Sequence, residues 1–316
     1  MAVKDRPDLK PLETSSGDLL ADRRADYAEM LFGSGDHAAA AELMLGALEL
    51  APGWAMGWFR LGEFHEAAGA LDQAAEAWRM ALKLEPADRP GAALKLALIG
   101  AAPAADAPPS AFVEALFDQY AQKFDDALVR TLEYRVPDLL AGAIRSYGRE
   151  RFGLAIDLGC GTGLMGERLR PVAEILEGHD ISAEMLKKAR GKGVYDRLVK
   201  SDLQTIALPP ASADLVTAAD VFMYLGALDG IVAKVARALR GGGLFAFSVE
   251  RHAGPEDFVL RPSRRYAHSE AYVRGVLVRN GFAVLSLEMH IIRQDRREPV
   301  EGLIVVAERP PAIDGT

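Results

Sequence analysis

The chain has 316 residues, half of them hydrophobic, and a formal net charge of −8 at pH 7. That length suits about two domains with a sizeable core, and the acidic balance argues against a nucleic-acid partner, whose phosphates need a basic surface. A single cysteine excludes an intrachain disulfide, no apolar run approaches the ~18 residues of a membrane span, and the polar start Met1–Lys10 lacks a signal core, so a soluble cytoplasmic protein acting on a small molecule is expected.

Residues 1–100 read as an all-α domain. Trp58, Leu61, Gly62, His65, Ala74, Trp78, Ala81 and Pro86 fall at positions 4, 7, 8, 11, 20, 24, 27 and 32 of a 34-residue unit. Small residues at positions 8 and 20 let two antiparallel helices approach, and the proline ends the second helix. One unit earlier, Tyr27, Ala28, Ala40, Met44, Ala47 and Pro52 occupy the matching places. This pattern resembles tetratricopeptide repeats. A third copy keeps only its first helix, Ala92–Ile99, as a cap. Such arrays need about three units to stand alone. The array is therefore expected either to serve as a structural or self-association element or to dock a protein partner.

Residues 101–110, rich in alanine and proline, form an extended and fairly stiff linker. Residues 111–316 make the second domain. Its first segment places Phe112, Leu116, Tyr120 and Phe124 at every fourth position, as on one face of a helix.

The most specific signal follows. An apolar run, Gly153–Leu158, leads into Gly159, Gly161 and Gly163, and a helical segment, Leu164–Arg170, begins at once. Strand, glycine turn and helix in that order build the ligand crevice of an open α/β sheet. A dinucleotide turn would place its third glycine at position 164, where this chain has Leu164. A second run, Ala173–Leu176, ends in Gly178-His179-Asp180, and Asp180 stands seventeen positions after Gly163. A carboxylate near that spacing accepts hydrogen bonds from ribose hydroxyls. Ser182 caps the next helix, and a third run, Arg197–Lys200, ends near Asp202. A fourth strand, Leu215–Ala219, ends at Asp220; a helix covers Leu228–Arg240, and Arg240-Gly241-Gly242-Gly243 ends it and turns the chain. A fifth strand covers Leu244–Val249, and Ser269 caps a helix that Asn280-Gly281 closes. Phe282–Met289 and Gly302–Ala307 have no helix between them and must pair antiparallel.

Over residues 112–308 this arrangement resembles the class I S-adenosylmethionine (SAM)-dependent methyltransferases. The resemblance implies a Rossmann-like α/β sheet with an antiparallel last strand and SAM as cofactor. It implies that the turn Gly159-Cys160-Gly161, with Gly163, passes the methionine end of the cofactor, and that Asp157 acts near its ammonium. Asp180 would hold the ribose, Ile181 would pack on adenine, and Asp202 with Leu203 would meet the adenine edge. Asp220 would close the crevice after the fourth strand. Tyr120, Phe124 and Tyr134 would belong to a lid, with packing onto the sheet as the other reading. Cys160 reads as a small packing residue rather than a nucleophile. Joined to the repeats, the domain resembles a bacterial group of methyltransferases that carry tetratricopeptide repeats.

The acceptor is less legible. Asp220-Val-Phe-Met-Tyr224 is not an Asn/Asp-Pro-Pro-Tyr motif, so methylation of nucleobase or glutamine amino groups lacks its usual support. Tyr224 either orients a substrate or packs. The segment between the fifth strand and the next helix gathers His252, Arg261, Arg264, Arg265, Tyr266 and His268. Arginine forks suit carboxylates and phosphates, and histidine accepts a proton near neutral pH. An anionic acceptor with His252, His268 or Tyr224 as the catalytic group is one reading, and a solvated basic loop is the other. The histidines lack the spacing of a metal pair, so no metal is expected. The expected reaction is methyl transfer to an O, N or C nucleophile of a small metabolite. The alternatives are a SAM sensor without catalysis, a methyltransferase acting on a protein docked by the repeats, and a nicotinamide oxidoreductase, against which Leu164 and the antiparallel tail speak.

Overall fold

A computed structural model describes residues 14–121, 133–295 and 298–311. The chain divides after Ala104 into two units. None of the helices among the described residues is long and apolar enough to cross a membrane.

The first unit is helical: α1 (Leu19–Gly33), α2 (His37–Leu48), α3 (Ala55–Ala67), α4 (Leu71–Leu84) and α5 (Ala92–Leu98). Side-chain oxygens of Asp18 and Asp36 cap α1 and α2, satisfying backbone donors that a helix start leaves free. Alanines keep the first pair close: Ala21, Ala25 and Ala28 of α1 are buried, as are Ala40, Ala41 and Ala47 of α2. In the second pair the close approach centres on Gly62. A Cβ there would lie 2.3 Å from the indole nitrogen of Trp78, a fully buried ring that donates to the Phe59 carbonyl at 3.2 Å. The Asp88 carboxylate accepts from the backbone of Ala92 and Ala93 and so starts α5.

The second unit opens with α6 (Ser110–Tyr120) and α7 (Val136–Arg145). Then strands and helices alternate: β1 (Phe152–Leu158), α8 (Leu164–Leu169), β2 (Ala173–Asp180), α9 (Ala183–Lys192), β3 (Arg197–Lys200), β4 (Ala213–Ala218) and α10 (Asp229–Ala238). The strands β3-β2-β1-β4-β5 lie parallel in that order, with β5 running Leu239–His252. Such a sheet must be covered on both faces. One face packs Phe222, Phe245, Phe247, Val232 and Val235 with α11 (Glu270–Arg279). The other packs Leu140, Ile144, Phe152, Leu169 and Leu176. Beyond β5 the direction reverses: β9 (Glu298–Glu308) runs antiparallel to β5, and β8 (Ala283–Asp295) antiparallel to β9.

Three local expectations are corrected. Gly241–Gly243 do not turn the chain, because β5 already starts at Leu239. The glycines form a bulge instead: Ala213 pairs with Leu239, but Leu215 pairs with Leu244. Gly242 takes a left-handed φ of 79°, and its N–H finds the Arg309 carbonyl, so the extra residues keep their hydrogen bonds. The segment after β5 is not a simple loop. It holds a short hairpin, β6 (Phe258–Leu260) with β7 (Tyr266–Ser269), and β7 adds parallel to the end of β5. Finally, β8 continues past Met289 to Asp295. Its later residues are mostly polar yet complete a ladder with β9.

Candidate active site

The carboxyl ends of β1, β2 and β4 converge on a cavity of about 370 Å³, within the ~300–1,000 Å³ typical of small-molecule sites. Gly159, Gly161 and Gly163 all have left-handed φ, of 65°, 53° and 98°. At Gly159 the reason is also steric, since a Cβ would sit 2.4 Å from the Val221 side chain. The turn therefore brings bare backbone against the cavity.

Asp180, at the end of β2, lines this cavity. Its oxygens accept from the N–H groups of Gly161 and Ser182, both at 2.8 Å, which ties the turn to the second strand. Burial pushes its carboxyl up to about 6, against the pull of those two hydrogen bonds. Asp202 also lines the cavity, accepting from Ser110 Oγ at 2.7 Å and from the Gln204 N–H at 2.9 Å. Ile181 and Leu203 supply apolar wall beside these carboxylates. One cavity thus offers acceptors for sugar hydroxyls and a base amine beside apolar surface and close-approach backbone, a donor set that fits an adenosine-containing ligand.

Helix α6 roofs part of this space. Asp118 accepts from Ser182 Oγ at 2.5 Å, and Glu114 pairs with Lys200 at 2.7 Å. Tyr120 and Tyr134 both line the cavity, and Phe117 meets Tyr224 edge-on at 5.2 Å. Phe124 lies outside the described residues.

Asp157 does not reach the wall. It is fully buried, with Oδ2 accepting from Tyr195 Oη at 2.7 Å and Oδ1 from Thr217 Oγ1 at 2.9 Å. Burial lifts its carboxyl to about 6, although both hydrogen bonds oppose the shift. Tyr195 occupies a slot bordered by Gly163, Gly166 and Gly178, where added Cβ atoms would lie 3.2, 2.3 and 2.9 Å from its ring or hydroxyl. Gly163 is likewise behind the wall rather than on it, whereas Cys160 lines it with a thiol that burial keeps protonated.

The opposite wall carries charge. Asp220, Tyr224, Arg264, Arg265 and Arg293 all line the cavity. Arg293, on β8, is 2% exposed; Nη1 donates to both oxygens of Asp220 at 2.7 Å, and Nη2 donates to Glu250, itself buried. Burial opposes its charge, but Asp220 and Glu250 hold the guanidinium above its ordinary range. Burial raises the pKa of Tyr224, and the neighbouring Arg265 guanidinium opposes that shift. Arg264 stacks over Phe112 at 4.9 Å from the ring centre. Asp220 and Arg264 both hold left-handed φ, 56° and 60°, a strained state for non-glycine residues that tends to gather at functional sites.

The remaining candidates lie elsewhere. His252 pairs with Glu256 at 2.8 Å and is not on the wall. His268 is buried, with Nε2 against the Gly226 carbonyl at 2.9 Å, and burial lowers its pKa to about 4. Tyr266 donates to the Ala105 carbonyl, and Arg261 to the Arg251 carbonyl. Neither histidine is placed to take a proton from a molecule in the cavity. Among the described residues no group of three or more His, Cys, Asp or Glu is spaced to hold a metal ion. Arg293 escaped the sequence reading because its strand was ended at Met289. The available signal was slight: an arginine directly after the pair Ile291-Ile292.

Comparison with known proteins agrees with this geometry. A family profile described as a methyltransferase domain matches residues 156–247. A malonyl-[acyl-carrier protein] O-methyltransferase of Methylococcus capsulatus is 30% identical over 209 residues, covering 61% of this chain and 73% of that protein. Enzymes of the same name from Enterobacter lignolyticus and Yersinia pestis are 34% and 28% identical over 31% and 43% of this chain. Those two matches span only 39% and 49% of the relatives' own lengths. Magnesium protoporphyrin IX methyltransferase of Synechocystis, solved with bound SAM, shares the fold at a TM-score of 0.50 and 20% identity, covering 66% of this chain and 99% of that one. The chain belongs to the class I SAM-dependent methyltransferases.

Proposed function

We propose that this chain moves a methyl group from SAM to an oxygen of a small acceptor that carries a carboxylate. Bound in the cavity, the cofactor supplies an electrophilic methyl group on a sulfonium. The chain's own residues hold the nucleoside, orient the acceptor and exclude water. The observation that carries the reading is the composition of the wall. Arg264, Arg265 and Tyr224 line it, and no histidine does among the described residues. A hydroxyl or ammonium acceptor would need a base to remove its proton. A carboxylate arrives already ionised near neutral pH, so a wall with anion donors and no histidine among the described residues suits it. Relatives whose names specify O-methylation of a malonyl group favour the same chemistry.

The test is labelled methyl transfer from SAM to a panel of carboxylic acids, read as base-labile methyl esters. Replacing Arg264 and Arg265 together by alanine should raise the acceptor KM tenfold or more. An unchanged KM in that variant would remove the anionic acceptor. Cofactor binding without any labelled acceptor would favour a sensor.

We further infer that the helical unit is a pair of tetratricopeptide-type repeats with a capping helix. The supporting observation is its period. Helices α1 and α3 end at Gly33 and Ala67, and α2 and α4 start at His37 and Leu71, in each case one 34-residue unit apart. Its favoured role is self-association or structural support, ahead of docking a protein acceptor. Light scattering across a concentration series tests this: a monomer throughout would sink self-association, and label on a protein band would favour docking.

A further inference from the structure

The cofactor's methionine end carries an ammonium, and the acidic residue before the glycine turn, Asp157, is the expected partner. Asp157 is committed elsewhere, to Tyr195 and Thr217, and lies behind the cavity wall. A different carboxylate stands on that wall beside the turn. Asp220 follows β4 directly, and its neighbour Val221 is the residue that packs on Gly159. Its backbone N–H is tied to Ser248 Oγ at 2.9 Å, which helps hold the left-handed φ of 56°. That conformation is costly for aspartate and persists only when its surroundings enforce it.

The acceptor capacity of Asp220 is not filled within the protein. Arg293 contacts both Asp220 oxygens but also serves Glu250. Arg265 stands 4.0 Å from Glu250 and is itself paired with Asp295 at 3.4 Å. Asp220 and Glu250 thus share one buried guanidinium, and Glu250 alone has further cations near it, Arg261 at 3.8 Å and Arg265 at 4.0 Å. One nitrogen of Arg293 leaves each Asp220 oxygen with acceptor capacity to spare. The cluster therefore presents a fixed carboxylate with unfilled acceptor positions to the crevice.

We propose that Asp220, rather than Asp157, takes the ammonium of the bound cofactor, with Arg293 and Glu250 as positioning residues that hold its carboxylate on the cavity wall. The proposal rests on reading the cavity as the SAM site. Its test separates the two by comparing S-adenosylhomocysteine with 5′-methylthioadenosine, a nucleoside thioether that lacks the amino-acid end. Calorimetry on the full chain yields the ratio of the two affinities. Asp220→Asn should weaken S-adenosylhomocysteine tenfold or more while leaving 5′-methylthioadenosine within twofold, which also shows that the variant is folded. Asp157→Asn should leave the ratio unchanged, even where loss of the Tyr195 contact weakens both ligands. Should Asp220→Asn not fold, Asp220→Ser removes the charge without adding volume, and the ratio must fall there as well. A ratio held within twofold in the folded Asp220 variant, or a ratio that collapses in Asp157→Asn, overturns the assignment. Failure of the unmodified chain to bind either ligand removes the cofactor site itself, and the proposal with it.

Discussion

Arg293→Met would remove the one cation that Asp220 and Glu250 share. Asp220 is 8% exposed, Glu250 3% and Arg293 2%, so water replaces little of what is lost. Breaking a buried ion pair by deleting one partner costs about 3–5 kcal/mol, because the remaining charge is stranded. Asp220 is stranded here, whereas Glu250 keeps Arg261 and Arg265 at 3.8 and 4.0 Å, which places the variant within that range at pH 7. For a unit of about 200 residues each kcal/mol moves the midpoint by about 2–4 °C, so the thermal transition of the α/β unit should fall by about 6–20 °C. The loss should shrink on acidification, because protonating one stranded carboxylate relieves the repulsion, and each pKa unit of upward shift is worth about 1.4 kcal/mol. Calorimetric melts at pH 5 and pH 7.5 read both effects. Restoring neutrality with Asp220→Asn and Glu250→Gln in the same chain should recover most of the stability at both pH values. A single variant within about 1 kcal/mol of the parent at pH 7.5, with no recovery at pH 5, would refute a buried, mutually dependent triad.

Asp180 and Asp157 both have carboxyls raised to about 6 by burial, so their protonated forms favour the fold. Their contribution to stability is full below about 4, their ordinary range, and fades as pH rises through about 6. S-adenosylhomocysteine affinity should run the opposite way, falling as pH drops through 6 and Asp180 loses acceptor capacity; a flat affinity profile from pH 5 to 7.5 would contradict the ribose role. Gly159→Ala places a methyl 2.4 Å from Val221 at a left-handed φ of 65°, and should cost about 1–3 kcal/mol and weaken nucleoside binding at least tenfold; normal binding calorimetry would show that the turn relaxes freely. Trp78→Ala empties the fully buried site beside Gly62 and should cost the helical unit about 3–5 kcal/mol, read as an early loss of helical circular dichroism; an unchanged melt would mean α3 and α4 are held by other contacts.

Where physics is local, the sequence was readable. Ser182 before Ala183 and Ser269 before Glu270 cap helices as their types demand, with Met185 and Tyr272 N–H groups as donors. The central strands β1 and β4 are mostly apolar because both of their faces are buried, and such runs stand out in any chain. Asp180 and Asp202 could be placed on the crevice because spacing after a glycine turn fixes where the next strands end. What depended on distant partners was not readable. Tyr195 looks like an ordinary loop residue until β2 and α8 bring three glycines around its ring. Arg293 has meaning only once β8 lies beyond β9 and the side chain meets Asp220 and Glu250 from other strands. Asp157 was read as acting near the cofactor's ammonium, often through water, and nothing local shows that Tyr195 and Thr217 hold its carboxylate inward.

Tyr195 makes the crevice answerable to a segment that never touches it. The stretch between α9 and β3 acts as a keel under the glycine turn, with the phenol wedged from below and its hydroxyl anchored on the first strand. Substitutions in that stretch will register at the turn through this one ring, so a map of tolerated changes around the pocket should include residues that a list of its lining would omit.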